Sequence, residues 1–165
     1  MKEWVVAGAV IEGPDGVLLV ANRRHNGSID WTTPGGVVDA GESIIDGLTR
    51  EVAEETGLEV TDWEGPLYEI EAIAPDLGWH LRVEVHRAVA VRGEIVIDDP
   101  DGIVIDAAWV LPGDCEARLA DAHPWVREPF GAWVLERWAG SRAFRYRITG
   151  TDPRNLEVAA DHPEP

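Results

Sequence analysis

Cysteine is almost missing from this 165-residue chain. Cys115 is the only one, which excludes an intrachain disulfide and any zinc site built on cysteines; a cytoplasmic location is the default expectation. Positive charge is also scarce. Lys and Arg number 14 against 31 Asp and Glu, giving a formal net charge of −17. Nucleic acid and anionic membrane both reward a basic surface, so neither is expected as a partner. No apolar run is long enough to span a membrane. The N-terminal stretch joins a charged start to an apolar run, then meets Gly13-Pro14-Asp15-Gly16 where a signal peptide would carry a small-residue cleavage site. It reads as a first strand.

What is present suits a globular chain: 45% hydrophobic and 27% charged residues, with eight tryptophans of which several are expected in the core. The length suits one domain, assigned to residues 1–150, followed by a polar, proline-containing and loosely held tail over 151–165. No repeat or low-complexity segment interrupts it. Trp4–Ile11 and Val17–Ala21 read as two strands joined in a hairpin by Pro14-Asp15-Gly16, followed by a polar loop from Asn22 to Asp30. Trp31–Val38 is expected to be extended, and Leu67–Pro75, Leu81–Arg92 and Asp106–Leu111 to be strands, with a change of phase near His86-Arg87. Helices are expected near Cys115–Ala120 and over Trp125–Trp138, the latter interrupted early by Pro129. Phe144, Tyr146 and Ile148 alternate with arginines, as in a late edge strand that pairs with its own sheet or with a second subunit.

The most informative segment runs from Gly36 to Leu58. Ser43 and Asp46 form a capping pattern, and Gly57 supplies the left-handed residue that ends a helix. Ile45, Leu48 and Val52 fall on one stripe, suited to burial against a sheet. Glu51, Glu54 and Glu55, related as i, i+3 and i+4, share a neighbouring face, with Gly47 one turn earlier leaving room for something to approach. Three crowded carboxylates repel one another. Such a face is either fully solvated or a place for hard divalent cations.

Gly36, five residues, Glu42, seven residues, then Arg50-Glu51-Val52-Ala53-Glu54-Glu55-Thr56-Gly57-Leu58 resembles the Nudix box, G-x5-E-x7-R-E-U-x-E-E-x-G-U with U bulky and aliphatic, without departure. Chance agreement of the fixed residues is on the order of 10⁻⁸ per start position at average residue usage. The resemblance implies the α+β class: an α/β/α sandwich, the Nudix fold, with a mixed β-sheet between helices. It implies divalent-metal-dependent hydrolysis of the diphosphate linkage in a nucleoside diphosphate-X substrate, with Mg²⁺ or Mn²⁺ as cofactor. By the same resemblance Glu51, Glu54 and Glu55 are metal ligands and the Gly36 carbonyl a possible further one. Glu42 supports the junction between loop and helix. Arg50 orients a box glutamate, with Glu54 at i+4 or Glu42 across the loop as its partner. The general base is a box glutamate, Glu51 first, or a later acid among Glu84, Asp101 and Asp106. Asp101 lies in the acidic turn Asp98–Gly102, for which ordinary turn chemistry is the alternative.

Outside the box, Arg23 and Arg24 are either phosphate contacts or part of a solvated loop. Trp79 is expected in the core rather than stacked on a base. His25, His80, His86 and His123 show no metal-ligand spacing. The box is silent on X. Pro75 is near, but not at, the position where ADP-ribose enzymes of the family carry a proline; no NADH-type motif and no zinc ribbon are present. Nucleoside triphosphates, ADP-ribose and sugar nucleotides therefore stand level as small-molecule substrates, and RNA decapping is disfavoured by charge. The alternative from another class is a catalytically silent nucleotide-binding or regulatory module. A monomer and a homodimer are both compatible with the sequence.

Overall fold

In a computed structural model, which describes residues 1–163, ten strands form two sheets and three helices pack on them. The strands are β1 (Lys2–Val10), β2 (Glu12–Gly13), β3 (Gly16–Arg23), β4 (Ile29–Thr32), β5 (Gly35–Val37), β6 (Glu59–Ala74), β7 (Trp79–Arg92), β8 (Val104–Val110), β9 (Arg142–Thr149) and β10 (Glu157–Ala160). The helices are α1 (Ile44–Thr56), α2 (Cys115–Arg118), which follows a 3₁₀ turn at Pro112–Asp114, and α3 (Pro124–Glu136). No helix is long and apolar enough to cross a membrane.

The larger sheet is mixed, in the order β10-β9-β6-β7-β1-β5, with β1–β7 and β6–β9 parallel. The smaller one has β8 along one edge of β3 and β2 and β4 along the other. Val17-Leu18-Leu19-Val20-Ala21 is a continuous apolar run because β3 is buried on both faces. Val17 and Leu19 join the core under α3, with Phe130 and Trp133, whereas Leu18 joins the core under α1, with Leu48 and Val52. The result is the expected helix-sheet-helix sandwich with a mixed sheet.

Four local expectations are corrected. First, β1 and β3 do not form a hairpin. β1 takes β7 and β5 as its two neighbours, so the chain crosses to the second sheet at Ile11, and the Pro14-Asp15 turn joins only the short β2 to β3. Second, α3 runs through Pro129 without a break, started by Pro124 at its first position and held by the buried Phe130, Trp133 and Val134. Third, β9 is internal, flanked by β6 and β10 of the same chain, so Phe144–Ile148 is not an edge. Fourth, the segment after residue 150 is not uniformly loose. Glu157–Ala160 pairs with Tyr146–Thr149, and His162 Nδ1 accepts from the Arg145 N–H at 2.9 Å. The phase change near His86 is real: the register slips where Gly65–Leu67 bulge opposite His86.

Because β9 carries the fully buried Tyr146 and Ile148, truncation after Ser141 removes core and not merely an edge. The expected result is loss of the cooperative thermal transition, since large core truncations remove ~2–5 kcal/mol per side chain. A retained sharp melt by circular dichroism would count against this packing.

Candidate active site

Helix α1 is set by its ends. Ser43 Oγ accepts from the Asp46 N–H at 3.0 Å, and Gly57, at φ 80°, closes the last turn through its N–H to the Ala53 carbonyl. Leu48 and Val52 are completely buried, which directs Glu51 and Glu54 to the flank beside β5. Gly47 leaves room as expected, but the box's own loop fills it: a Cβ there would lie 3.1 Å from Val38 and 3.3 Å from Glu42 Oε1.

Arg50 is the hub of this flank. Its Nε and Nη2 grip the two Glu42 oxygens at 2.9 and 2.8 Å, Nη1 donates to Glu51 Oε1 at 3.0 Å and to Glu54 Oε2 at 3.3 Å, and Nη2 also reaches the Val37 carbonyl at 3.1 Å. The two partners left open by the sequence are therefore both used, Glu42 in the stronger, two-pronged manner. Asp39 adds an ion pair at 3.4 Å. Glu42 also accepts the Asp39 N–H, and these bonds, Arg50 first, hold its carboxyl down to about 2. The bridge pins the loop before α1 to the helix.

Glu51 lies against backbone. A Cβ on Gly36 would stand 2.5 Å from the Glu51 carboxyl carbon, so no side chain fits at residue 36 while Glu51 holds this position. Burial pushes the Glu51 carboxyl above its usual range, Arg50 opposes this, and Glu54 and Asp101 add to the rise. Glu55 is buried more deeply. Its Oε2 accepts the Gly35 N–H at 3.2 Å, and burial, with the charges of Glu51, Asp99 and Glu54, pushes its carboxyl up to about 8.

The acidic turn is near enough for the charge of Asp101 to raise Glu51 and that of Asp99 to raise Glu55. Asp99 also orders the turn by accepting the N–H groups of Asp101, Ile103 and Val104. Asp106 is an exposed residue of β8 that accepts the Ala107 N–H, and Glu84 Oε1 meets Nε2 of the buried His86 at 3.3 Å. Arg24 is matched by Asp30 through bonds of 2.7 and 2.8 Å, so its charge is already satisfied; Arg23 is exposed at the end of β3. Trp79 packs on Trp125, as expected for a core aromatic.

A cavity of about 160 Å³ opens beside Gly35. Its lining is mainly apolar, drawn from Tyr68, Val83 and Val85 of the larger sheet, Trp125 and Val126 of α3, and Thr32–Gly35. It is about the size that accepts one aromatic ring system. The sequence reading missed this cavity, as well as the Gly35 N–H and Asp99. The run Pro34-Gly35-Gly36 was the available signal, because adjacent glycines permit close backbone approach.

No three His, Cys, Asp or Glu side chains among the described residues stand in a ready-made coordination cage. Glu51 and Glu54 lean instead on Arg50. The residues nevertheless fit a hard divalent cation. Carboxylate oxygens are the ligands such ions take, and Glu55, buried with no cationic partner, has its carboxyl pushed up for want of the counter-charge such an ion would supply.

A family model for the NUDIX domain matches residues 2–134. A putative 8-oxo-dGTP diphosphatase 2 of Mycobacterium tuberculosis is 32% identical over 139 residues, covering 74% of this chain and 97% of its own. Among solved structures, a MutT NUDIX hydrolase from Burkholderia pseudomallei is 27% identical with a TM-score of 0.60, covering 68% of this chain and 86% of its own. A mutator MutT protein from Bacillus halodurans, at 22% identity, shares the fold with a TM-score of 0.67 over 98% of this chain and 99% of its own. The chain belongs to the Nudix hydrolase family and is a pyrophosphohydrolase of that family.

Proposed function

We propose that the protein cleaves the diphosphate linkage of a nucleoside triphosphate, a purine nucleotide in the first instance, with a divalent cation. One observation carries this reading: the apolar, ring-sized cavity and the acidic cluster meet at a single residue, Gly35, which lines the first and donates to Glu55 of the second. A base in the cavity beside Trp125 brings its phosphates toward Glu51, Glu54 and Glu55. The substrate reading draws on the 8-oxo-dGTP diphosphatase relative.

Glu51, Glu54 and Glu55, with the Gly36 carbonyl, are the residues that would hold Mg²⁺ or Mn²⁺. When bound, such a cation neutralises phosphate oxygens and acidifies water. The chain's own residues do the rest. Arg50 holds Glu51 and Glu54 in place, and Glu42 and Asp39 hold Arg50. Glu51, whose carboxyl lies against Gly36, takes the proton of the attacking water on its carboxylate. Asp101, which bears on Glu51, is the second acid of the site.

The test is turnover of a panel of nucleoside triphosphates including oxidised purines, ADP-ribose and sugar nucleotides, with Mg²⁺ or Mn²⁺ and products resolved by chromatography. Cleavage is expected to be strongest for a purine triphosphate. Turnover of none would sink the reading, and preference for ADP-ribose or a sugar nucleotide would overturn its substrate half.

A further inference from the structure

Buried phenols nearly always have a hydrogen-bond partner. Tyr146, in the core under α3, finds one: its hydroxyl donates to Glu128 Oε2 at 3.2 Å. Tyr68, in the same core, is only 2% exposed. Its hydroxyl makes no hydrogen bond among the described residues, and the fully enclosed unpaired side-chain atoms are His80 Nε2 and Trp133 Nε1. The Tyr68 oxygen is thus unpaired without being among the fully enclosed atoms, and the cavity that Tyr68 lines is the one beside Gly35.

The ring is held firmly. Trp138 and Phe144 pack edge-on against it, at 6.3 Å and 70° and at 6.0 Å and 79°, and Trp138 is itself fixed by its Nε1–H to the Leu67 carbonyl at 2.7 Å. Trp125, which also lines the cavity, is steadied by His123, whose ring stacks on it at 4.3 Å and 7°. Neither wall needs to rearrange to receive a ring. Burial also pushes the Tyr68 hydroxyl far above its ordinary titration range, so it stays protonated and keeps a hydrogen to donate. In a mainly apolar cavity, a single fixed donor discriminates among flat ligands of equal size.

We infer that Tyr68 is a specificity-determining residue, donating a hydrogen bond to a ring carbonyl or ring nitrogen of the heteroaromatic base held against Trp125. The inference rests on the nucleotide reading above and adds to it the chemistry that selects the base. Bases that present an acceptor to Tyr68 are favoured, and those that present a donor or C–H there are not.

The decisive variant is Tyr68→Phe, which keeps the ring and removes only the hydroxyl. Since that hydroxyl has no protein partner, the melting temperature should not fall. For the preferred nucleotide kcat/KM should drop ~10-fold or more, chiefly through KM, as when a buried acceptor loses its donor. Nucleotides the wild type uses poorly should change little, so the spread of kcat/KM across the panel should narrow. An unchanged spread would overturn the inference while leaving the nucleotide reading intact. A lower melting temperature with kcat/KM falling equally for every substrate would also overturn it, by assigning the hydroxyl a structural role. Absence of turnover in the wild type would remove both readings together.

Discussion

Replacing Glu51 by Gln is expected to lower kcat ~10²–10⁴-fold, the range for loss of a general base, with little change in melting temperature. Glutamine preserves the shape that lies against Gly36 and still offers Arg50 Nη1 an oxygen, but it takes no proton. A second route to the same loss goes through the backbone. Gly36→Ala places a methyl 2.5 Å from the Glu51 carboxyl carbon and must push that carboxyl off its seat. Its activity should fall to within about tenfold of the Glu51→Gln level by the same range. Steady-state kinetics under saturating Mg²⁺ check both variants. A Glu51→Gln enzyme within a few-fold of wild type would move the base elsewhere, with Asp101 next in line because its charge bears on the same carboxyl.

Glu55 sets the second expectation, which concerns pH and metal. Its carboxyl is raised from an ordinary 4.5 to about 8 in the folded chain. Below the ordinary value it is protonated in both folded and unfolded states and adds no penalty. Between about 4.5 and about 8 the unfolded chain releases this proton and the folded chain retains it, so stability declines across that window as pH rises. Each tenfold difference in proton affinity corresponds to about 1.4 kcal/mol, so the full effect is on the order of a few kcal/mol. In chelator the melting temperature should fall between pH 5 and pH 8, and Mg²⁺ or Mn²⁺, by favouring the ionised carboxylate, should restore much of it. His123, held below its ordinary range by burial, acts with the opposite sign, losing stability as pH falls through the lower part of that window. The difference between wild type and Glu55→Gln isolates the glutamate. In chelator at pH 8 the variant should melt higher than wild type, and metal should raise it less. Superimposable pH profiles in chelator would refute the proposed burial penalty.

Local features of the chain were legible because their causes lie within a few residues. The ends of α1 and its acidic flank follow from Ser43, Gly57 and the glutamate spacing, and of the expected stripe Leu48 and Val52 are buried while Ile44, rather than Ile45, packs beside them. Features that depend on a distant partner were read less well. Arg24 was equally compatible with phosphate binding and with a solvated loop, and nothing local showed that it donates two hydrogen bonds to Asp30 on the next strand. The sheet change at Ile11 leaves no mark in Trp4–Ile11 itself, since it follows from β7 and β5 occupying both sides of β1. Likewise, Glu157–Ala160 looked like tail because a four-residue strand owes its order to the edge of β9.

By itself the sequence determined the reaction class through its resemblance to the Nudix box, while helical spacing alone put Glu51, Glu54 and Glu55 on one flank, where hard cations or solvent were the open choices. Only the tertiary structure decided how those acids differ. It set Glu51 against the bare Cα of Gly36, buried Glu55 against Gly35 and committed Glu42 to Arg50. It also brought Tyr68 and Trp125, far apart in the chain, to the walls of one cavity. Proton affinity depends on burial and neighbouring charge, and base selection on donors fixed in space, and neither is a property of a residue's position along the chain.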